Sequence, residues 1–362
     1  MKIKHILVAL TMVLLSQTGL KAQEEIVYNQ YYYNYYLVNP AVAGAERCTH
    51  FMWTGFMGWT GMEGKDNKGE TPRFTTLSFR TRLRGGLERL GIGAYAYVDK
   101  NGNSLRRGGQ VSLGYHIPLS GSSTRGYMMK QRDITRQLSF ALACVVNGYG
   151  YESELFQQQS TDIVIDNGGE NKGYYFNATF GTYFLFDNFF AGLTIANLVP
   201  TKLEQLGKSE PIRPINPFIF LGYDFQLGDG MQFEPGAMFK FNIDRNDDDT
   251  VGESTQTTEK VEKGAERQLD IHLKFMQDVP GKDFGYWVEL LYRHSLDRGK
   301  NIDGSDVKPA PLCLRPMGGI RIKKFNIGYT YGLGLTGVNK FNKGDHELML
   351  SYSFCKTQHF CR

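Results

Sequence analysis

Long apolar runs are nearly missing from this sequence. The first, Ile6–Leu15, is shorter than the ~20 residues a membrane helix needs, and no later run approaches that length. A bilayer-spanning helix is therefore excluded. Cysteine is scarce too, with five in 362 residues, at Cys48, Cys144, Cys313, Cys355 and Cys361. That is too few for a disulfide scaffold, and both a Cys355–Cys361 bridge and free thiols stay open. There is little excess charge. The formal net charge is +4, and removing Lys2, Lys4 and Lys21 with a leader leaves 38 basic (41 − 3) against 37 acidic residues. A chain near +1 is not built to bind nucleic acid.

Catalytic signatures are also lacking. No Gly-x-Ser-x-Gly, phosphate loop or dinucleotide fingerprint occurs. The seven histidines do not stand at ligand spacing with the cysteines. The acidic stretch starting at Asp244 is similar to a calcium loop. It has Asp249 where the sixth position needs glycine and Thr255 where the twelfth needs glutamate. The expectation is a protein that is no enzyme, with no catalytic, cofactor-binding or metal-binding residues and no cofactor.

The start of the chain is an address. Lys2 and Lys4 precede the apolar run, and small and polar residues lead to Ala22. This order reads as a secretory signal peptide over residues 1–22, cleaved near Ala22–Gln23.

Beyond it the dominant signal is alternation with period two. In Tyr174–Leu198, Phe176, Ala178, Phe180, Phe184 and Phe186 share one face, and Asn177, Thr179 and Gly181 share the other. Asp187-Asn188 reads as a two-residue turn, after which Phe189, Ala191, Leu193 and Ile195 continue the apolar face. Phe218–Phe241 repeats the device around Gly228–Gly230. About 14 such strands are expected over residues 47–362. They begin near Arg47, Thr75, Leu90, Gln110, Leu138, Tyr174, Phe189, Phe218, Met231, Gln268, Tyr286, Leu312, Phe325 and Glu347. Odd-numbered strands are followed by long polar links and even-numbered ones by tight turns, with Pro118–Gln137 the one long link on the short side. Such sorting is the mark of an all-β, transmembrane antiparallel β-barrel in an outer membrane. Lipid offers no hydrogen-bond partners, so a closed barrel pairs every strand N–H and C=O internally. A soluble β-sandwich also alternates, but its long loops would not sort to one end. Glu289 and Arg293 fall on the inward face of one strand, where an internal ion-pair network is expected.

Between leader and barrel, residues 23–46 are rich in aromatics. Tyr28, Tyr31, Tyr32, Tyr35 and Tyr36 have helical spacing and would line one stripe of a short helix that Asn39-Pro40 stops. Tyrosine joins an apolar ring to a hydroxyl that can bond lumen groups. The segment reads as a plug in the barrel mouth or as a docking surface. The expected partner-binding residues are Tyr28, Tyr31, Tyr32, Tyr35, Tyr36, Asn39 and Pro40. A disordered leader of low complexity is the plainer alternative.

The stretch from Asn29 to Gly44, ending in Asn39-Pro40-Ala41-x-x-Gly44, resembles the N-terminal signature of the PorP/SprF family. The resemblance continues in order along the chain: GIGAYAYVDKNG from Gly91, GYHIPL from Gly114, FFAGLTIANL from Phe189, FEPGAMFK from Phe233, VELLYR from Val288, FNIGYTYG from Phe325 and DHELMLSYSF from Asp345. The family's usual Arg-x-Gln-Trp is replaced by FMGWTGMEG, which keeps only Trp59. The resemblance implies an outer-membrane barrel associated with type IX secretion, gliding or surface display, one that anchors or helps export a large surface protein. Implied partners are outer-membrane lipid, type IX secretion components or periplasmic ring lipoproteins, and the C-terminal domain of the secreted protein. A barrel for hydrophobic or small solutes, similar to the fatty-acid transporter class, is the alternative.

Overall fold

The alternation closes into a ring. A computed structural model describes residues 31–46, 48–61, 71–102, 104–119, 136–151, 172–201, 213–243, 267–297, 299–300, 306–335 and 342–354. Its wall strands are β1 (Thr49–Met57), β2 (Arg73–Arg82), β3 (Leu90–Asn101), β4 (Ser104–Pro118), β5 (Gln137–Tyr151), β6 (Lys172–Phe186) and β7 (Phe189–Ala196). There follow β8 (Asn216–Tyr223, resuming as Phe225–Gly228), β9 (Met231–Phe241), β10 (Arg267–Asp278), β11 (Phe284–Ser295), β12 (Ala310–Ile322), β13 (Phe325–Gly334) and β14 (Asp345–Phe354). Both pieces of β8 lie along β9, so they form one strand broken at Asp224. Successive strands pair antiparallel, and β14 returns to β1 in a register from Thr49–Phe354 to Met57–His346. The result is a closed 14-strand barrel. Closure leaves no sheet edge unpaired. A two-stranded ribbon, Gly299–Lys300 with Asp306–Val307, lies in the link between β11 and β12.

Polarity is inverted relative to a protein in water. Leu77, Val111, Leu113, Leu142, Phe176 and Val288 are each more than half exposed. Their neighbours on the same strands, Ser78, Gln110, Ser112, Asn177 and Glu289, are buried. A sandwich in water would bury the first set and expose the second. An apolar exterior around a polar interior is stable only where the outside is lipid. Aromatic pairs crowd the exterior toward one end: Phe51–Phe79 and Phe325–Tyr352 at 4.9 Å, and Tyr223–Phe225 at 4.5 Å between ring centres. Such belts mark membrane–water interfaces.

That end also carries the tight turns, Asp187-Asn188, Asp229-Gly230 and Lys323-Lys324. In outer-membrane barrels it is the periplasmic end. The sorting of links differs from the expected pattern at β3–β4. There Asn101 pairs directly with Ser104, so this link is a two-residue turn among the long links. Gly102, at φ 57°, supplies the left-handed backbone that such a turn needs at its first position. β4 consequently starts at Ser104, six residues before the expected Gln110. The other strands begin close to their expected positions. Cys144 and Cys313 carry free thiols. The leader, Tyr28, the acidic stretch from Asp244 and the pair Cys355 and Cys361 lie outside the described residues.

Candidate functional site

Residues 31–46 run inside the ring and touch its wall on nearly every side. Tyr31 Oη donates to Asp270 Oδ2 on β10 (3.2 Å) and Asn34 Nδ2 to Ser78 Oγ on β2 (2.7 Å). Ser112 Oγ on β4 bonds Tyr36 Oη (3.0 Å), and His116 Nε2 donates to the Ala43 carbonyl (3.0 Å). Gln137 Nε2 on β5 donates to the Ala45 carbonyl (3.0 Å), and Arg80 Nη2 to Glu46 (3.1 Å). The rings fan out. Tyr33 lies 4.1 Å from Trp287 on β11, Tyr35 stacks on Phe220 of β8 at 4.8 Å, and Tyr32 meets His272 of β10 edge-on at 3.8 Å.

The expected helical stripe does not form. Tyr35–Leu37 and Pro40–Val42 are two short 3₁₀ turns. With side chains recruited by different strands, no single helix face could satisfy them. Wall bonding outweighs the weak helix preference of a tyrosine run.

The Asn-Pro-Ala-x-x-Gly motif has a distinct job at each fixed position. Asn39 caps the second turn, its Oδ1 accepting from Ala41 N at 2.8 Å. Its Nδ2 donates outward to the carbonyls of Thr182 (2.8 Å) and Leu193 (3.4 Å), which face each other on β6 and β7. Pro40 opens the turn, where its missing N–H is not required. Ala41 is fully buried. Gly44 adopts φ 76°, and a Cβ there would lie 2.8 Å from the Gly91 Cα. The wall is hollowed to match. A Cβ at Gly181 would stand 2.3 Å from Asn39 Oδ1, one at Gly93 2.5 Å from the Tyr36 ring, and one at Gly91 1.9 Å from the Ala43 carbonyl oxygen. Inward glycines are thus seats for the segment.

Charges line the same interior. Arg293 forks onto Asp270 (3.0 and 2.9 Å), a geometry that favours a buried pair. Glu289 lies 3.8 Å from His272, and Lys274 lies 3.9 Å from Glu234 and 4.3 Å from the Tyr33 ring centre. The Arg293–Asp270 pair joins neighbouring strands, as expected, whereas neither carboxylate oxygen of Glu289 is hydrogen-bonded among the described residues. Burial raises the phenols of Tyr31 and Tyr32 well above the ordinary tyrosine value and pushes Tyr36 up to about 12, so all three stay neutral. At the short-turn end Arg136 donates two bonds to Asp187 (2.9 and 2.7 Å), and these hold the carboxyl below its usual range.

Of the expected partner-binding residues, Tyr31, Tyr32, Tyr36, Asn39 and Pro40 are buried within the ring and Tyr35 is half-buried. The structure brings these six together. Sequence reasoning missed their wall partners, Ser112, Thr182, Phe220, Asp270 and His272. The available signal was glycine on inward positions of strands, as at Gly91, Gly93, Gly181 and Gly192, where a barrel has no need of a small residue unless something fills the lumen. Among the described residues no group of three His, Cys, Asp or Glu side chains converges on a metal position.

Comparison with known proteins places this geometry in context. The family described as type IX secretion system membrane protein PorP/SprF matches residues 20–352. No curated protein matches the chain. Among solved structures, the chain is similar to the TodX deltaS2S3 mutant monoaromatic hydrocarbon channel at 9% identity, with 88% of this chain and 93% of that one covered and a TM-score of 0.43. It is similar to the CymD monoaromatic hydrocarbon channel at 10% identity, with 87% and 90% covered and a TM-score of 0.42. It is also similar to the translocator domain of autotransporter NalP from Neisseria meningitidis at 11% identity, with 85% and 88% covered and a TM-score of 0.34.

Proposed function

The chain belongs to the PorP/SprF family of type IX secretion system membrane proteins, and from that premise we propose that it is a sealed outer-membrane holder for a large surface protein. In this reading residues 1–22 export the chain and are removed near Ala22–Gln23. Residues 23–46 plug the lumen, and residues 47–362 form the barrel. The barrel meets lipid on its wall and type IX secretion components, or periplasmic ring lipoproteins, at its periplasmic end. Its task is to anchor the C-terminal domain of the secreted protein or to assist its passage.

One observation carries the reading. Residues 31–46 occupy the interior through hydrogen bonds to six wall strands, β2, β4, β5, β6, β7 and β10. A transport barrel needs a continuous path for solute, and a segment seated across the interior would obstruct one. The tyrosine set then acts as a seal, and a partner is gripped at the mouths. Cells without this protein should fail to display one large surface protein, while a barrel mutated only on the lipid face restores display once assembled. Display unchanged in those cells, together with ion conduction by the purified barrel in planar bilayers, would favour solute transport instead.

A further inference from the structure

The short-turn mouth holds a cleft that opens to solvent, and Arg80, Lys274, Arg321, Lys323 and Lys324 line it with Asp278 as the one carboxylate. We infer that this mouth is a docking site for an acidic polypeptide segment presented from the periplasm. The inference deepens the holder reading by stating what kind of partner the periplasmic end takes.

The charge balance comes first. Five cations face one lining carboxylate, and Arg321 pairs with that Asp278. Arg80 is matched by Glu46 at 3.1 Å and Lys274 by Glu234 at 3.9 Å, both from outside the lining. Lys323 and Lys324 remain, and among the described residues neither has a carboxylate within ion-pair distance. They stand exposed in the turn between β12 and β13, and Lys324 Nζ sits 4.3 Å above the Phe354 ring centre. These two unmatched lysines leave the mouth a positive surplus, which draws the opposite sign.

Polypeptide fits better than the other anions. Arg80 lies on β2 and Arg321 on β12, with β13, β14 and β1 between them. Four strand spacings amount to about 19 Å along the wall, which one phosphate group cannot bridge. Arg80 and Lys274 are buried inside the ring, whereas Ile322 and Phe325 stand exposed on the outer side at this end. A lipid headgroup outside the wall therefore does not meet them. Ser78, Ser351 and Ser353 add hydroxyls, and Trp287 and Tyr33 give an apolar floor. That mixture suits a peptide with carboxylate side chains and a backbone to be satisfied.

The test uses the full processed chain refolded in detergent and a fluorescently labelled, glutamate-rich peptide, read by anisotropy. A glutamine-rich peptide of equal length is the control. The acidic peptide should bind, the control should not, and affinity should fall as salt rises. Lys323→Glu with Lys324→Glu should weaken binding about tenfold at low salt, and Lys323→Arg with Lys324→Arg should preserve it. Heat-modifiable mobility of both variants verifies that the barrel is closed. Equal binding of the two peptides, no binding at all, or indifference to the charge reversal overturns the inference. So does binding that appears only after Glu24→Gln and Glu25→Gln, because the chain's own N-terminal segment would then be the occupant. The assay needs no cargo, so unchanged surface display in cells lacking the protein, with peptide binding intact, would count against the holder reading alone.

Discussion

Asn39→Ala should loosen the lumen segment without opening the barrel. The substitution removes the bond from Ala41 N to Asn39 Oδ1 at 2.8 Å and the bond to the Thr182 carbonyl at 2.8 Å, and it also removes the longer one to Leu193 at 3.4 Å. Each buried bond contributes about 1 kcal/mol net, and loss of a cap costs about as much. The sum is about 3 kcal/mol, which multiplies the population of the displaced segment roughly a hundredfold. The wall ladder is untouched, because Asn39 reaches only carbonyl oxygens of β6 and β7. Limited proteolysis in micelles reads this directly: cleavage between residues 31 and 46 should speed up by about that factor, with heat-modifiable mobility unchanged. Asn39→Asp keeps the capping acceptor but loses the outward donor, and should fall between wild type and alanine. Cleavage at the wild-type rate in Asn39→Ala would refute the reasoning, since the segment would then be held by packing alone. Loss of barrel closure would refute it in the opposite sense.

Four further outcomes follow from the same geometry. Leu193→Arg places a charge on the lipid face in mid-strand, which costs about 2–4 kcal/mol, so it should block or weaken assembly into membranes, whereas Thr179→Arg on the inner face should be better tolerated in the same gel-shift assay. Gly181→Val should displace residues 39 and 40, which lie against the added atoms, and should raise ion conductance in planar bilayers while the barrel stays closed. Replacing Tyr31, Tyr32, Tyr35 and Tyr36 by serine should leave mobility on gels unchanged and abolish cargo display in cells. Because Arg136 depresses the Asp187 pKa, the stability this pair supplies is present above the ordinary aspartate range and lost as pH falls through the lowered value; melting curves of wild type and Asp187→Asn should therefore differ at neutral pH and converge in strong acid.

Much of the wall was legible because lipid imposes period two on each strand. Phe186 and Phe189 were expected to pair across Asp187-Asn188, and they do. Leu193 was expected to face out and Thr179 in, as found. These features depend on local alternation and turn chemistry, which a sequence displays directly. The β3–β4 turn was misread because Arg106 and Arg107 look like loop residues; they sit on strand extensions that reach past the apolar band. The lumen segment was the least legible part. Its conformation is set by Asp270, Ser112, Gln137 and Thr182, which are remote in sequence and come together only after closure. A tyrosine run on its own specifies nothing beyond rings that need both an apolar surface and a hydroxyl partner. The Asn39-Pro40-Ala41 motif showed that something was fixed there, and the inward glycines held the complementary half of the information.

The central claim is that this barrel holds a protein and does not pass solutes. Affinity purification of the tagged chain from outer membranes, followed by mass spectrometry of whatever accompanies it, tests that most directly. The account predicts co-purification of a type IX secretion component or of one large surface protein through its C-terminal domain. Recovery of the barrel alone, in a form that conducts ions with residues 31–46 intact, would contradict it.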